Sequence, residues 1–173
     1  ELRLGTGEAF SRQALVVHAD LGRWHESWAS ELAPAELFGA LDERLQSAVD
    51  IAHRRGGRVD RISGAGVTAY FFPSEEHPER VLYDALRAAH AIATDGEGRQ
   101  LEMPFRVALI EGTIYNGPIG WETLGERLTL GGAPERCREL ARVARPGELL
   151  VAGEELIDRL GEVAELERMR LAE

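Results

Sequence analysis

Gln13–Trp24, with the sequence QALVVHADLGRW, contains the strand around which the rest of the chain can be arranged. Its apolar run ends shortly before Asp20, and Gly22 follows. Short runs rich in Val and Leu are typical of buried strands, and a carboxylate where such a strand ends often holds a metal or orients a reacting group. Alternatively, Asp20 caps the following turn, and on this segment alone turn capping is the favoured interpretation.

The length and composition of the chain fit one ordinary globular domain. Its 173 residues suggest a lead-in over 1–12 that we expect to be flexible, a single domain over 13–166 and a tail over 167–173. The net charge of −10 argues against nucleic-acid binding, because phosphate contacts need clustered Lys and Arg. No apolar run is long enough to insert across a membrane. The single cysteine, Cys137, fits a cytoplasmic location, and core packing is favoured over a nucleophilic role for it.

Apolar periodicity and turn residues predict an alternation of strands and helices. The predicted strands cover 13–19, 58–62, 67–72, 105–110, 148–151 and a further segment at 163–166. The predicted helices run from Pro34 to Gly56 and over 78–94, 134–144 and 154–160. Asn116-Gly117 is a strong turn dipeptide, so residues 112–117 are expected to form an additional hairpin.

The order of these elements indicates the fold class. The first six follow the order βαββαβ, which usually gives one antiparallel sheet with both helices on one face. We therefore expect an α+β fold with a ferredoxin-like core, to which a hairpin, helices and a strand are added. That core hosts many activities, so the fold alone does not assign a function.

Four segments together resemble the catalytic domain of class III adenylate and guanylate cyclases. They are VVHADLGRW at 16–24, RRGGRVDRISGAG at 54–66, FRVALIEGTIYNGPIG at 105–120 and ARPGELLVAGEEL at 144–156. The resemblance spans residues 13–160 and implies a ferredoxin-like core with added elements. It also implies an internal phosphoryl transfer, in which the 3′-oxygen of a nucleoside triphosphate attacks its own α-phosphate at a two-metal site. In that family the sites form across a head-to-tail dimer.

The metal positions implied by this resemblance are only partly kept. The first metal-binding Asp falls on Asp20, and the backbone carbonyl ligand falls on Leu21. The second Asp position is occupied by Ala65, which has no oxygen for a hard cation. Mg²⁺ or Mn²⁺ is therefore expected only if a nucleotide binds.

The nucleotide positions implied by the resemblance are also altered. The base-reading Lys falls on Arg61, and its acidic partner falls on Leu128. Glu135 occupies the Asn position and Glu139 the Arg position, while the adjacent Arg138 is expected to point about 100° away around the helix. One unit-charge contact at about 4 Å is worth roughly 4 kcal/mol at an effective dielectric near 20, so two carboxylates beside a triphosphate should oppose catalysis.

Three functions remain open at this point. The first is a catalytically degenerate cyclase homology domain that acts as a dimerisation or regulatory module, as a homodimer or with another cyclase-like domain. The second is a divergent adenylate or guanylate cyclase that uses Asp20 and a substitute carboxylate such as Glu135 for metal. The third is a module that senses a nucleotide without turnover. His18, within the first strand, is expected to be a hydrogen-bonded sheet histidine rather than a ligand.

Overall fold

The computed structural model of the protein describes residues 9–22, 28, 32–76, 78–95, 103–121 and 124–161. The strands are β1 (Phe10–Asp20), β2 (Arg58–Ser63), β3 (Gly66–Phe71), β4 (Arg106–Trp121), β5 (Leu124–Leu130) and β6 (Leu149–Ala152). The helices are α1 (Pro34–Arg54), α2 (Pro78–Thr94) and α3 (Gly132–Val143), and residues 154–161 are also helical. The predicted strand at 163–166 and the expected tail at 167–173 lie outside the described residues.

One mixed sheet organises the domain. Its strand order is β2-β3-β1-β4-β5, and β6 pairs in parallel with the first half of β4. The remaining neighbours are antiparallel, and β1 pairs with β4 along its whole length and with β3 over residues 15–20. The predicted α+β fold with a ferredoxin-like βαββαβ order is therefore confirmed, and β1 has the central place expected for it.

Alternate residues of β1 supply two hydrophobic cores. Leu15, Val17 and Ala19 face the larger core, which α1 and α2 cover. Ala14 and Val16 face the smaller core, which lies under α3. This alternation follows from the two-residue period of a strand, and burial on both faces explains why the run is apolar throughout. Because α3 covers only part of its face, the end of β1 near Asp20 remains available for a site.

Two boundaries differ from those predicted for the β1 and β4 region. β1 begins at Phe10, so residues 10–12 of the expected lead-in belong to the strand. The prediction of a hairpin at 112–117 is wrong, because β4 runs unbroken through that segment. Asn116 instead pairs with Phe10 of β1 on one side and with Thr129 of β5 on the other. Its side-chain amide also donates to the Thr129 hydroxyl at 2.7 Å, so strand pairing on both sides outweighs the local turn preference.

A cleft on the face of the sheet that carries the third helix

A cleft of about 880 Å³ lies beside α3, on the sheet face that this helix partly covers. Its walls come from the end of β1, the β2–β3 hairpin, the end of β5 and one face of α3, and Phe38 and Leu41 of α1 also line it. Five of the seven positions singled out from the sequence line it: Asp20, Arg61, Ala65, Leu128 and Glu135. Leu21 and Glu139 are not among the lining residues.

Asp20 both caps a turn and faces the cleft. Its Oδ1 accepts a hydrogen bond from the backbone N–H of Gly22 at 2.6 Å. The next residue ties this turn to the β2–β3 hairpin, because the Leu21 N–H donates to the Ala65 carbonyl at 3.0 Å. The Leu21 side chain is buried in the larger core. The favoured interpretation of Asp20 as a turn cap is confirmed, and its half-buried carboxylate also lines the cleft.

A β-bulge brings two consecutive residues of β2 to the cleft. The register between β2 and β3 shifts between Val59 and Arg61, which places both Asp60 and Arg61 in the cleft lining. In a regular strand, neighbouring side chains point to opposite faces. Sequence reasoning missed Asp60 for this reason, since nothing in the segment RVDRIS marks the bulge. Leu128 approaches the same cleft from β5.

The face of α3 that lines the cleft differs from the one expected. Glu135, Arg138 and Arg142 line it at helical spacing, whereas Glu139 is exposed elsewhere. The expected orientation of Arg138, away from the site, is therefore wrong. Cys137, buried against the sheet, fixes the rotation of the helix. With about 100° per residue, Arg138 then lies at the edge of the buried face, and Glu139 lies on the far side.

His18 forms part of the cleft lining as a neutral, buried side chain. Its Nδ1 lies 2.9 Å from the Thr68 hydroxyl, and only 6% of the residue is exposed. Burial lowers the pKa of His18 to about 4, an effect that the nearby Asp20 carboxylate opposes and that Arg138 and Arg142 reinforce. The expected hydrogen-bonded sheet histidine is confirmed.

Cys137 has the properties of a core residue. Its thiol donates to the backbone carbonyls of Val16 at 3.3 Å and Ala108 at 3.4 Å. Burial raises the pKa of Cys137 to about 12, so the thiolate required of a nucleophile is scarce at neutral pH. The core-packing role favoured from the sequence is therefore confirmed.

Comparison with solved structures identifies other domains that share this fold. The adenylyl cyclase CyaB from P. aeruginosa aligns with 91% of this chain and 84% of its own, with a TM-score of 0.76 and 20% identity. The guanylate cyclase domain of RhGC from Catenaria anguillulae, in complex with GTP, covers 89% of this chain and 84% of its own, at a TM-score of 0.73 and 13% identity. This chain has the fold of a nucleotidyl cyclase catalytic domain. A non-canonical dimeric guanylyl cyclase domain of the RhoGC fusion protein from Blastocladiella emersonii covers 90% of this chain and 86% of its own, with a TM-score of 0.72 and 12% identity.

Searches with the amino-acid sequence of this chain find no matching protein-family model and no matching curated protein. The identities to the solved domains are low enough that the shared feature is the fold. No helix in the described parts of the chain is long and apolar enough to cross a membrane.

The residues at the three positions that the sequence resemblance assigns to metal binding, Asp20, Leu21 and Ala65, do not fit a two-ion site. Asp20 is the one carboxylate among the three positions, and one of its oxygens already accepts from the Gly22 N–H. Mg²⁺ is usually held by one or two carboxylates together with waters and substrate phosphates, and Ala65 supplies no side-chain oxygen for a second carboxylate ligand. Within the described ranges, no cluster of three or more His, Cys, Asp or Glu side chains could hold a metal ion.

A positive charge also lies where a metal-binding turn would need negative charge. Arg106 of β4 lies opposite Asp20 of β1 in the register of the two strands. A Cβ added to Gly22 would lie 3.0 Å from the guanidinium carbon of Arg106, so this guanidinium packs directly against the turn. A divalent cation bound at this turn would be repelled by the guanidinium, because like charges repel each other.

Proposed function

We propose that this chain is a catalytically degenerate nucleotidyl cyclase homology domain that senses a nucleotide and acts through dimerisation in cytoplasmic signalling. The single observation that carries the proposal is the state of the cleft. The cleft is open and lined by charged side chains. However, Ala65 supplies no carboxylate for a second divalent ion, and the Arg106 guanidinium places a positive charge beside the turn at Gly22. The proposal therefore separates binding from turnover.

Nucleotide binding is supported by the size and lining of the cleft. A volume of about 880 Å³ falls within the range of small-molecule sites, and a nucleoside triphosphate is a ligand of that scale. Arg61 and Arg138 supply donors for phosphate or base oxygens, and Leu128 and Tyr70 supply apolar and aromatic surface. One solved relative in fold is a complex with GTP, which makes a guanine nucleotide one of the first ligands to test.

Dimerisation is supported by apolar side chains around a second, shallower depression. Phe10, Tyr115 and Leu130 line it and are exposed, although each is large and hydrophobic. Grouped exposed apolar side chains of this kind mark interaction surfaces more often than chance. The RhoGC guanylyl cyclase domain, which shares this fold, has been solved both as a non-canonical dimer and as a monomer. The partner we propose, on the strength of the apolar surface, is a second copy of this chain or another cyclase-like domain.

The test combines oligomeric state with ligand response. Light scattering after gel filtration should give a dimer mass, and addition of ATP or GTP should raise the melting temperature without forming product. A ligand at 100 times its dissociation constant stabilises by about 2.7 kcal/mol, which corresponds to about 5–10 °C for a domain of this size. A monomer whose melting temperature stays unchanged with every nucleotide would contradict the proposal.

A second candidate is a divergent cyclase in which Glu135 substitutes for the missing carboxylate. It is favoured by one observation, that Asp20 and Glu135 line the same cleft. Calorimetry with ATP or GTP and Mn²⁺ distinguishes it, because affinity should then depend on the metal and vanish in Asp20→Ala. Metal-independent binding that survives Asp20→Ala would exclude this candidate.

A further inference from the structure

Two arginines of α3 stand together at the cleft. Arg138 and Arg142 are one helical turn apart and both belong to the lining. Both line the cleft together with His18, and the charge of each lowers the pKa of the His18 imidazole. Because His18 is neutral, it adds no positive charge of its own to the cleft.

Arg138 is held by a carboxylate that a ligand can replace. Glu135, one turn earlier on α3, forms an ion pair with the Arg138 guanidinium. The Glu135 side chain is 68% exposed and the Arg138 side chain 34% exposed. Exposed ion pairs of this kind contribute little to stability, because solvent screens them and both side chains lose rotamer freedom. An anion with several charged oxygens can therefore displace Glu135 at small cost.

Arg106 adds a further positive charge beside the part of the cleft that Asp20, Gly22 and Arg142 line. Its Nη1 donates to the backbone carbonyl of Arg142 at 3.4 Å, and its guanidinium packs against Gly22, a lining residue. Its Nε is buried without a hydrogen-bond partner among the described residues. The same guanidinium disfavours a divalent cation at Asp20 and favours an anion nearby.

We infer that the cleft binds the phosphate groups of its ligand without a divalent metal, with Arg138 and Arg142 as donors and Glu135 as a built-in competitor. This rests on the proposed nucleotide-sensing function and specifies what the cleft recognises. Guanidinium groups bind phosphoryl oxygens through paired, charge-assisted hydrogen bonds, and two of them one helical turn apart suit a polyphosphate chain. The arginines thus take the neutralising role that metal ions would otherwise have.

The experiment is calorimetric titration of the whole chain with inorganic triphosphate, ATP and GTP, each in EDTA and in Mn²⁺. The variants are Arg138→Gln, Arg142→Gln and Glu135→Gln. Arg136→Gln is the matched control, because Arg136 is an exposed arginine of α3 that is not part of the cleft lining. Circular dichroism and melting curves establish that each variant is folded.

We expect triphosphate to bind in EDTA. Arg138→Gln and Arg142→Gln should each weaken that binding at least tenfold, Glu135→Gln should strengthen it about threefold to tenfold, and Arg136→Gln should leave it unchanged. Binding of triphosphate but of neither nucleotide would support the anion site and contradict nucleotide sensing.

Three outcomes would overturn the inference. Nucleotide binding that requires Mn²⁺ and is lost in Asp20→Ala would overturn the metal-free site while leaving nucleotide sensing intact. Triphosphate binding that is insensitive to both arginine substitutions would place the anion elsewhere. Absence of binding by any of the three probes would overturn the inference and the proposed function together.

Discussion

Acidification should destabilise this domain through one identifiable group, His18. Its folded-state pKa of about 4 lies below the ordinary value of 6.5, so the unfolded chain binds the proton more readily. The corresponding stability is therefore complete above pH 6.5 and is lost as the pH falls towards 4. A difference of about 2.5 pKa units corresponds to roughly 3 kcal/mol in full, of which about 2 kcal/mol is lost by pH 5.

The assay is urea denaturation of the wild type and of His18→Gln between pH 7.5 and pH 5. Gln keeps a polar group for Thr68 but does not titrate, and every other ionisable group is common to both proteins. The wild type should lose about 2 kcal/mol relative to His18→Gln across this interval. A stability difference that stays constant with pH would refute the reasoning, because it would mean that His18 titrates equally in both states.

Three further predictions concern packing and reactivity. Gly112→Ala should lower the free energy of unfolding by about 1–3 kcal/mol, because the added Cβ would lie 2.8 Å from the Cβ of Ala133 on α3. The control Gly39→Ala, at an exposed position of α1 with nothing within 4 Å of the added Cβ, should raise it by about 0.5–1 kcal/mol. Equal effects of the two substitutions in urea denaturation would contradict this prediction. Arg44→Met should lower the free energy of unfolding by about 3 kcal/mol or more in the same assay. Arg44 is 2% exposed, forms an ion pair with Asp95 and donates from Nε to the Met103 carbonyl at 3.1 Å. A loss of stability below about 1 kcal/mol would show that this buried network is dispensable. Cys137 should react with Ellman's reagent on the order of a thousandfold more slowly in the native protein than after denaturation, and rapid native labelling would contradict its buried, high-pKa state.

The elements of the fold were largely predictable because each carries a local signal. The continuous apolar run of β1 and the helical spacing of apolar residues in α1 and α2 reflect burial that the residues themselves encode. The hairpin prediction at Asn116-Gly117 was wrong because the local signal there is weaker than the long-range strand pairing. A turn dipeptide is a local preference, and here β1 and β5 pair with that segment from both sides, so long-range pairing decides the structure.

The site was less predictable because it depends on rotation and register. Asp60 reaches the cleft through a bulge, and Arg138 reaches it because the burial of Cys137 sets the rotation of α3. Neighbouring residues of a helix point about 100° apart, so a small difference in the rotation of α3 decides whether Glu139 or Arg138 lines the cleft. The position of Arg106 against Gly22 is a contact between distant segments, and no spacing in the sequence indicates it.

The central proposal is that the cleft binds a nucleotide without converting it, and mass spectrometric detection of cyclic nucleotides tests it most directly. The purified chain should be incubated with ATP or GTP and either Mg²⁺ or Mn²⁺, beside Asp20→Ala and a mock preparation. We predict no cyclic AMP or cyclic GMP above the mock level in any sample. Product formed well above that level by the wild type and lost in Asp20→Ala would contradict the proposal and establish a working cyclase site.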